Sequence, residues 1–462
     1  MVAMAHTYDL LVIGFGKAGK TIAMKRAKAG DSVALIERDP QMYGGTCINI
    51  ACIPTKTLLV DADRHRRASV GAADPAEAAA AFARSQEHRD GFIAKLNAAN
   101  LKMVADAGVE VVVGEAHFVG PHEVAVDTAE GVVRMSAPRI VVNTGSAAFR
   151  PGLPGIDLPR VFDSTSIQHI EHLPAQLAIV GGGPIGLEFA TLFSAYGTKV
   201  TLLETAARPL SRFDEDVASC AADILRTRGV EFVCQARTQR FEDVDGTVRV
   251  VLEDGRSVVA DAALVAVGRR PEVAALDVAV AGIELTERGA IKVDEHLRTS
   301  VEGVWAAGDV NGGPQFTYVS FDDHRVILAD VWPEAYPGLT GRSTAGRTVP
   351  TTTFLEPPLT TVGLSEEQAA ASGRPYAVKK APIASLAVMP RPKILGESEG
   401  MAKFIVDTET DLILGAALLC TDAQELINTV AVCMAHGVSA TELGQGIYTH
   451  PSSSEVFNAL LG

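Results

Sequence analysis

Two glycine-rich turns, each set between a short apolar run and a helix-forming stretch and each followed a little over twenty residues on by an acid, predict an α/β fold. The expectation is two doubly wound, Rossmann-like units with an α+β domain behind them. Length is the third observation: 462 residues exceed what one hydrophobic core organises, so two to four domains are expected. Apolar residues are 47% and charged residues 21%, and no apolar run approaches the roughly 18 residues that span a bilayer. Forty-one basic against 56 acidic side chains leave a formal charge of −15, which repels phosphate backbones and anionic lipid. Neither nucleic acid nor membrane is an expected partner. Met1 to Thr7 has neither a basic n-region nor a long apolar run, which makes the cytoplasm the expected compartment.

In the first unit, Tyr8 to Ile13 ends in Gly14-Phe15-Gly16-Lys17-Ala18-Gly19, Lys20 to Ala29 favours helix, and a strand from Ser32 to Ile36 leads to Glu37. Gly14, Gly16 and Gly19 permit a tight turn, close approach of backbone N–H groups to a pyrophosphate and close helix–strand packing; Glu37 can accept from a ribose hydroxyl. The same residues fit a second pattern, since Gly14, Gly19, Lys20 and Thr21 have the spacing of a triphosphate-binding loop. That reading leaves Glu37 without a role, whereas a dinucleotide uses all three glycines and the acid.

The whole device recurs. Gln176 to Val180 leads into Gly181-Gly182-Gly183-Pro184-Ile185-Gly186, a helix through Tyr196, a strand from Lys199 to Leu203, and Glu204. Two dinucleotide-binding domains in one chain are what passing electrons from one nucleotide to another requires. An acid at Glu204 favours the free ribose hydroxyls of NADH over a 2′-phosphate. Arg208 is close enough to weaken that preference; its ordinary reading is a solvated loop arginine.

Six cysteines in so long a chain make no disulfide framework, and a closely spaced pair is expected to be redox-active or metal-binding. Cys47 and Cys52 are such a pair, in Gly44-Gly45-Thr46-Cys47-Ile48-Asn49-Ile50-Ala51-Cys52-Ile53-Pro54-Thr55-Lys56. In a regular helix, residues five apart lie roughly 8–9 Å apart, beyond the 4.4–6.8 Å a disulfide spans, so a bridge needs a distorted helix. Pro54 offers the distortion, and a helix N-terminus stabilises a thiolate. The alternative is two reduced, buried thiols. Cys220, Cys234, Cys420 and Cys433 are expected to be buried free cysteines. Cys420 and Met389 are also soft-metal candidates, against core packing for each, and no spacing suggests a structural zinc site.

These motifs, together with Asn143-Thr144-Gly145, Gly268-Arg269-Arg270-Pro271, Val304-Trp305-Ala306-Ala307-Gly308-Asp309 and His450-Pro451-Ser452-Ser453-Ser454-Glu455, carry a resemblance over nearly the whole chain. The chain resembles the class I pyridine nucleotide-disulfide oxidoreductases, the flavoprotein family of lipoamide dehydrogenase, glutathione reductase and mercuric reductase. The resemblance implies FAD at the first site, held by Gly14, Gly16, Gly19, Glu37 on the adenosine ribose, Gly45, Thr46 near the pyrophosphate, Thr144, Gly145, Gly308 and Asp309 on the ribityl chain, with Gly268 at the return. It implies NADH on Gly181, Gly183, Gly186 and Glu204. It makes Cys52 the thiol facing the flavin, Cys47 the interchange thiol, and Lys56 with Glu188 a pair beside the flavin N5. His450, oriented by Glu455, would move protons at Cys47 from the other subunit of a homodimer with composite active sites.

The implied organisation is an FAD domain in residues 1–149 and 273–346, an NADH domain in 150–272, and a dimerisation domain in 347–462. Within the family, the flanks Gly14 to Thr21, Met42 to Ile50 and Gln315 to Ser320 look most like the bacterial reactive-chlorine-resistance flavoproteins, a branch implicated in NADH-driven Cu(II) reduction. The chain ends Asn458-Ala459-Leu460-Leu461-Gly462 without vicinal cysteines, so mercury is not the expected acceptor. No resident metal is expected; a substrate metal ion would meet Cys47 and Cys52. Three departures stand out: Ala51 where glycine is usual, Pro184 where an aromatic gate is common, and Glu272 where asparagine is common. The expected function is electron transfer from NADH through FAD and the Cys47–Cys52 disulfide to Cu(II) or another metal ion linked to oxidant stress. The alternatives are a disulfide reductase of lipoamide or low-molecular-weight type, or a slow redox sensor.

Overall fold

Leu10–Ile13, apolar throughout, is a strand with every residue buried, and it lies at the centre of a five-stranded parallel sheet. The computed structural model that shows this describes residues 6–69 and 74–462; Met1 to Ala5, most of the segment from which the cytoplasm is expected, lie outside the described residues. The order across the sheet is Val304–Ala306, Ile140–Val142, Leu10–Ile13, Val33–Glu37 and Glu110–Val113. Strands covered on both faces read as unbroken apolar runs, and the alternation of side chains divides them between two cores. Leu10 and Val12 pack with Ile22 and Val326 of the helices Lys17–Lys28 and Thr317–Val331, while Leu11 and Ile13 pack with Phe118 and Val124.

Those elements belong to the first of two units, which comprises residues 1–57, 86–149 and 269–346. The second comprises 58–85, 150–268 and 347–462. It repeats the parallel design in the order Val161–Phe162, Ala262–Val265, Gln176–Val180, Lys199–Leu203 and Val230–Val233. Leu177 and Ile179 pack with Phe189 and Leu225, and Ala178 and Val180 with Phe241 and Val250. The same unit holds an antiparallel sheet ordered Thr351–Thr353, Leu359–Gly363, Ile413–Leu419, Met401–Asp407 and Tyr376–Pro382, backed by the helix Ala423–His436. The architecture is thus α/β with two parallel sheets and a C-terminal α+β region.

The strands expected at Gln176–Val180 and Lys199–Leu203 have those bounds. The first helix begins at Lys17, three residues before the expected Lys20, because Gly16 is its extended N-cap residue at φ −65° and ψ 169°. The strand expected from Ser32 runs Val33–Glu37. No described helix is long and apolar enough to cross a membrane.

Candidate functional site

At the first turn Glu37 closes the loop on itself. Its Oε2 accepts from Phe15 N at 3.0 Å and its Oε1 from Asp39 N at 3.2 Å. Burial pushes the Glu37 carboxyl up from its ordinary value, and the Phe15 and Asp39 amides offset part of that rise. Asn143, at the end of Ile140–Val142, clamps the turn: its Oδ1 accepts from Gly19 N at 2.9 Å and its Nδ2 donates to Ala307 O at 2.5 Å. A Cβ on Gly14 or Gly16 would overlap Asn143, which is why both positions need glycine. Beside the turn, at the carboxyl ends of the strands Leu10–Ile13 and Val33–Glu37, a pocket is lined by Glu37, Arg38, Glu115, Thr144 and Glu272. Ligands of open α/β sheets bind at this end of the strands, and a half-buried carboxylate beside loop amides fits a ribose and its phosphates.

The second turn is wired alike. Glu204 Oε2 accepts from Gly182 N at 3.0 Å, and Oε1 from Ala206 N at 2.9 Å. Gly186 packs directly on the Gly181 carbonyl, whereas a Cβ on Gly183 would meet nothing within 4 Å. Space above Gly183 is what a pyrophosphate needs. Pro184 stands at the first position of the helix Pro184–Ala195, where its missing N–H costs nothing. Arg208 is a half-buried loop arginine that donates to Phe213 O, within its own loop, at 2.8 Å.

Between Cys47 and Cys52 the helix breaks in two. Thr46–Asn49 starts on Gly45, whose φ of +78° suits only glycine, and ends at Ile50; Cys52–Ala68 then begins anew. Ala51 N reaches back five residues to Thr46 O at 2.9 Å, an over-wide turn that alanine tolerates in place of glycine. The break precedes Pro54, which sits in the first turn of the second helix where no intrahelical donor is required. The two sulfurs stand as thiols, hydrogen-bonded to one another. Cys52 and burial push the Cys47 thiol up, and the Thr317 hydroxyl and Lys56 ammonium act against them. Thr317 Oγ1 lies 3.7 Å from Cys52 Sγ, at the N-terminus of Thr317–Val331. Thr46 Oγ1 lies 3.5 Å from where a Cβ on Gly145 would sit.

Asp309 is tied to the same unit: Ser146 Oγ donates to its Oδ2 at 2.6 Å, and Arg269 Nε donates to Ser146 Oγ at 2.8 Å. Gly308 N donates to Asp323 Oδ2 at 2.7 Å, and Gly268 has φ +129° with open space around it. Lys56 is half-buried on the Cys52 helix of the first unit. Glu188 is buried in the second unit and accepts from Phe354 N at 3.0 Å. In the second unit too, His450 Nδ1 is 2.8 Å from Glu455 Oε1, whose other oxygen accepts from Ser452 N at 2.9 Å. Burial pushes the Glu455 carboxyl up, but the His450 and Ser452 hydrogen bonds win and hold it below its ordinary value. The imidazole itself is 69% exposed.

Cys420 and Met389 are core residues, buried in one apolar cluster with Phe404 and Phe457. Cys433 is buried, but Cys220 and Cys234 are only half-buried, a correction to their expected burial: Cys220, in the middle of the helix Glu215–Thr227, packs against the edge of the core cluster that holds Leu225, and Cys234 lies just past the end of the strand Val230–Val233. No group of three or more metal-ligating side chains occurs among the described residues. Sequence reasoning missed Thr317 and the roles of Asn143 and Glu272. Glu272 accepts from Arg38 at 2.7 Å, and its carbonyl accepts from Thr144 Oγ1 at 2.7 Å. Its departure from the common asparagine was a usable signal.

Comparison with known proteins agrees with this geometry. The pyridine nucleotide-disulphide oxidoreductase family matches residues 8–323, and that family's dimerisation domain matches residues 349–461. A relative described as a probable pyridine nucleotide-disulfide oxidoreductase, RclA of Escherichia coli (strain K12), is 42% identical over 98% of this chain and 99% of its own. The dihydrolipoyl dehydrogenase of Geobacillus stearothermophilus is 30% identical over 97% of this chain and 94% of its own. Among solved structures, the Cu(II) complex of the HOCl-induced flavoprotein disulfide reductase RclA from Escherichia coli superposes with a TM-score of 0.91 at 41% identity, covering 99% of each chain.

Proposed function

This chain belongs to the pyridine nucleotide-disulphide oxidoreductases, enzymes that use FAD and NAD(P)H, and on that premise we propose that it carries electrons from NADH through the Cys47–Cys52 pair to a metal ion, with Cu(II) as the first candidate. The observation that carries the reading is the broken helix that sets two sulfurs in contact, in the same unit as the first glycine turn. FAD, when bound, supplies the two-electron relay between the nicotinamide and the disulfide. Gly14, Gly16, Gly19, Glu37, Gly45, Thr46, Thr144, Gly145, Gly308 and Asp309 would hold it, and Gly181, Gly183, Gly186 and Glu204 would hold NADH. Residues 1–149 and 273–346 form the FAD domain in this reading, 150–272 the NADH domain and 347–462 the dimer interface.

Reduction opens the disulfide at Cys52, whose thiolate Thr317 can stabilise by hydrogen bonding, and frees Cys47 to meet the acceptor. Lys56, with Glu188, serves the flavin side. His450 moves the proton at Cys47, and Glu455 holds the imidazole in position and stabilises its cation. The exposed imidazole, with Ile447 fully exposed and Val432 59% exposed nearby in sequence, supports a homodimer in which His450 completes the partner's site. The choice of NADH rests on Glu204, and that of Cu(II) on the likeness to RclA, whose complex holds that ion.

Anaerobic titration of the purified protein with NADH, followed by visible spectroscopy, tests this. The expected result is a bound flavin and a long-wavelength thiolate-to-flavin band at two-electron reduction, with Cu(II) then reoxidising the protein. Flavin reduction without the band sinks the disulfide relay. Faster turnover with lipoamide than with Cu(II) would make the chain a disulfide reductase.

A further inference from the structure

Lys20 and Thr21 completed the rival triphosphate pattern of the first turn, and the function proposed above uses neither. Thr21 closes on its own helix, its hydroxyl donating to Lys17 O at 2.6 Å. Lys20 points inward and is 4% exposed. Among the described residues the other buried lysine is Lys403, which is met by Asp214 at 3.0 Å, Asp216 at 2.9 Å and Glu366 at 2.6 Å. Lys20 has no such ring; its ammonium donates to the neutral Oδ1 of Asn100. Burying a cation without an anionic partner costs desolvation free energy, which makes the groups around Lys20 informative.

Those groups lead to Cys47. Asn100 is buried on the helix Pro75–Asp106, its Nδ2 donating to Leu96 O at 2.7 Å. It lies against Gly44, where a Cβ would come 3.0 Å from Asn100 Cγ, and Gly44-Gly45 leads straight into the helix carrying Cys47. One turn earlier Asn97 donates to Asn49 Oδ1 at 3.1 Å, and Asn49 in turn donates to Tyr43 O and to Gly45 O. A polar network therefore fixes the cation against the segment that carries Cys47. Burial pushes the Lys20 ammonium down to about 8, Lys17 acts in the same sense, and Cys47 opposes both.

We propose that Lys20, held by Asn100, is a positioning residue for the redox reaction whose charge stabilises the thiolate of reduced Cys47. The inference rests on the redox role proposed for the cysteine pair. The other groups that act on Cys47 are Cys52 and Lys56 on their shared helix and Thr317 on its own, and none of them is altered in the test. Oxidation removes two electrons and the one remaining proton from the thiol–thiolate pair as the S–S bond forms; glutathione disulfide accepts both electrons and that proton as its own S–S bond breaks, yielding one glutathione thiol and one glutathione thiolate.

The test equilibrates the FAD-loaded parent, Lys20→Met and Asn100→Asp anaerobically with glutathione and glutathione disulfide, quenches with acid, alkylates, and reads the pair by mass spectrometry. Lys20→Met deletes the charge at nearly constant volume, and Asn100→Asp supplies a counter-ion that cancels it. Both are expected to shift the equilibrium toward the disulfide, Lys20→Met by about tenfold, which for a two-electron couple is about 30 mV lower in potential. Both should also slow iodoacetamide alkylation of Cys47 at neutral pH. An unchanged equilibrium in Lys20→Met accompanied by lost flavin or a lower Tm overturns the proposal in favour of a packing or cofactor role. A shift in Asn100→Asp opposite to that in Lys20→Met overturns it as well. If the parent pair does not exchange with glutathione, the redox role fails and this inference with it; if the parent exchanges and both variants match it, this inference alone fails.

Discussion

The two glycine turns are wired by the same hydrogen bonds yet covered differently. In each, the acid twenty-two residues beyond the loop amide takes that N–H on one oxygen, from Phe15 to Glu37 and from Gly182 to Glu204, and an amide two residues further on with the other. In the first turn, Asn143 fills the space around Gly14, Gly16 and Gly19 and bridges to Ala307, while beside Gly183 that space is open. The backbone device sets the class of ligand, and the side chains brought to it decide whether the turn is locked or left accessible. That difference suits one nucleotide that stays and one that exchanges.

The largest effect should come from the group that only the first region possesses. Cys47→Ser should leave NADH able to reduce bound flavin while lowering turnover with an external acceptor by on the order of a thousandfold or more, as stopped-flow and steady-state assays would show. Equal loss in both half-reactions would mean that the cysteine is structural. Next come matched glycine substitutions. Gly16→Ala drives a methyl into Asn143 and should cost about 1–3 kcal/mol, visible as a lower Tm and poor flavin retention. Gly183→Ala should keep Tm within about 0.5 kcal/mol of the parent, with its effect confined to the KM for NADH. Similar melting of the two variants would erase the distinction between the turns.

A smaller change is expected from Glu204→Ala, which should move the ratio of kcat/KM for NADPH over NADH upward by about tenfold, the effect of losing one discriminating polar contact of about 1.4 kcal/mol. The smallest concerns pH. Because burial raises Glu37, protonated Glu37 is favoured in the folded protein. Its stabilising term is fully present below the ordinary glutamate value of about 4.3 and is lost as pH rises through the raised folded value. Flavin-free Glu37→Gln should therefore gain in Tm relative to the parent as pH rises from about 4 toward neutrality. A constant difference in Tm over that range would show that Glu37 is not desolvated in solution.

Much of this was legible because the signals are local. Each strand–turn–helix–strand–acid unit lies within some thirty residues, so glycine spacing, apolar runs and the acid could be read together, and both second-turn strands fall at their expected bounds. The cysteine pair was legible for the same reason, as was the need for a distorted helix; the placement of the break at Ile50 and Ala51, ahead of Pro54, was not, since it depends on which carbonyl Ala51 finds. Helix starts slipped where a glycine serves as the extended cap, as at Gly16.

Sequence by itself determined the α/β class, the two nucleotide turns with their acids and the redox-active character expected of Cys47 and Cys52. Tertiary structure alone decided what closes around them. Asn143 reaches Gly19 from 124 residues away, Glu272 reaches Arg38 from 234, and Thr317 reaches Cys52 from 265. Burial of Lys20 beside Asn100, 80 residues on, drew a residue of the rival motif into the polar network against Gly44. The physical reason is one of range: turn geometry and periodicity are set by neighbours along the chain, whereas desolvation, clamping and the pairing of buried charges arise only when distant segments share one interior.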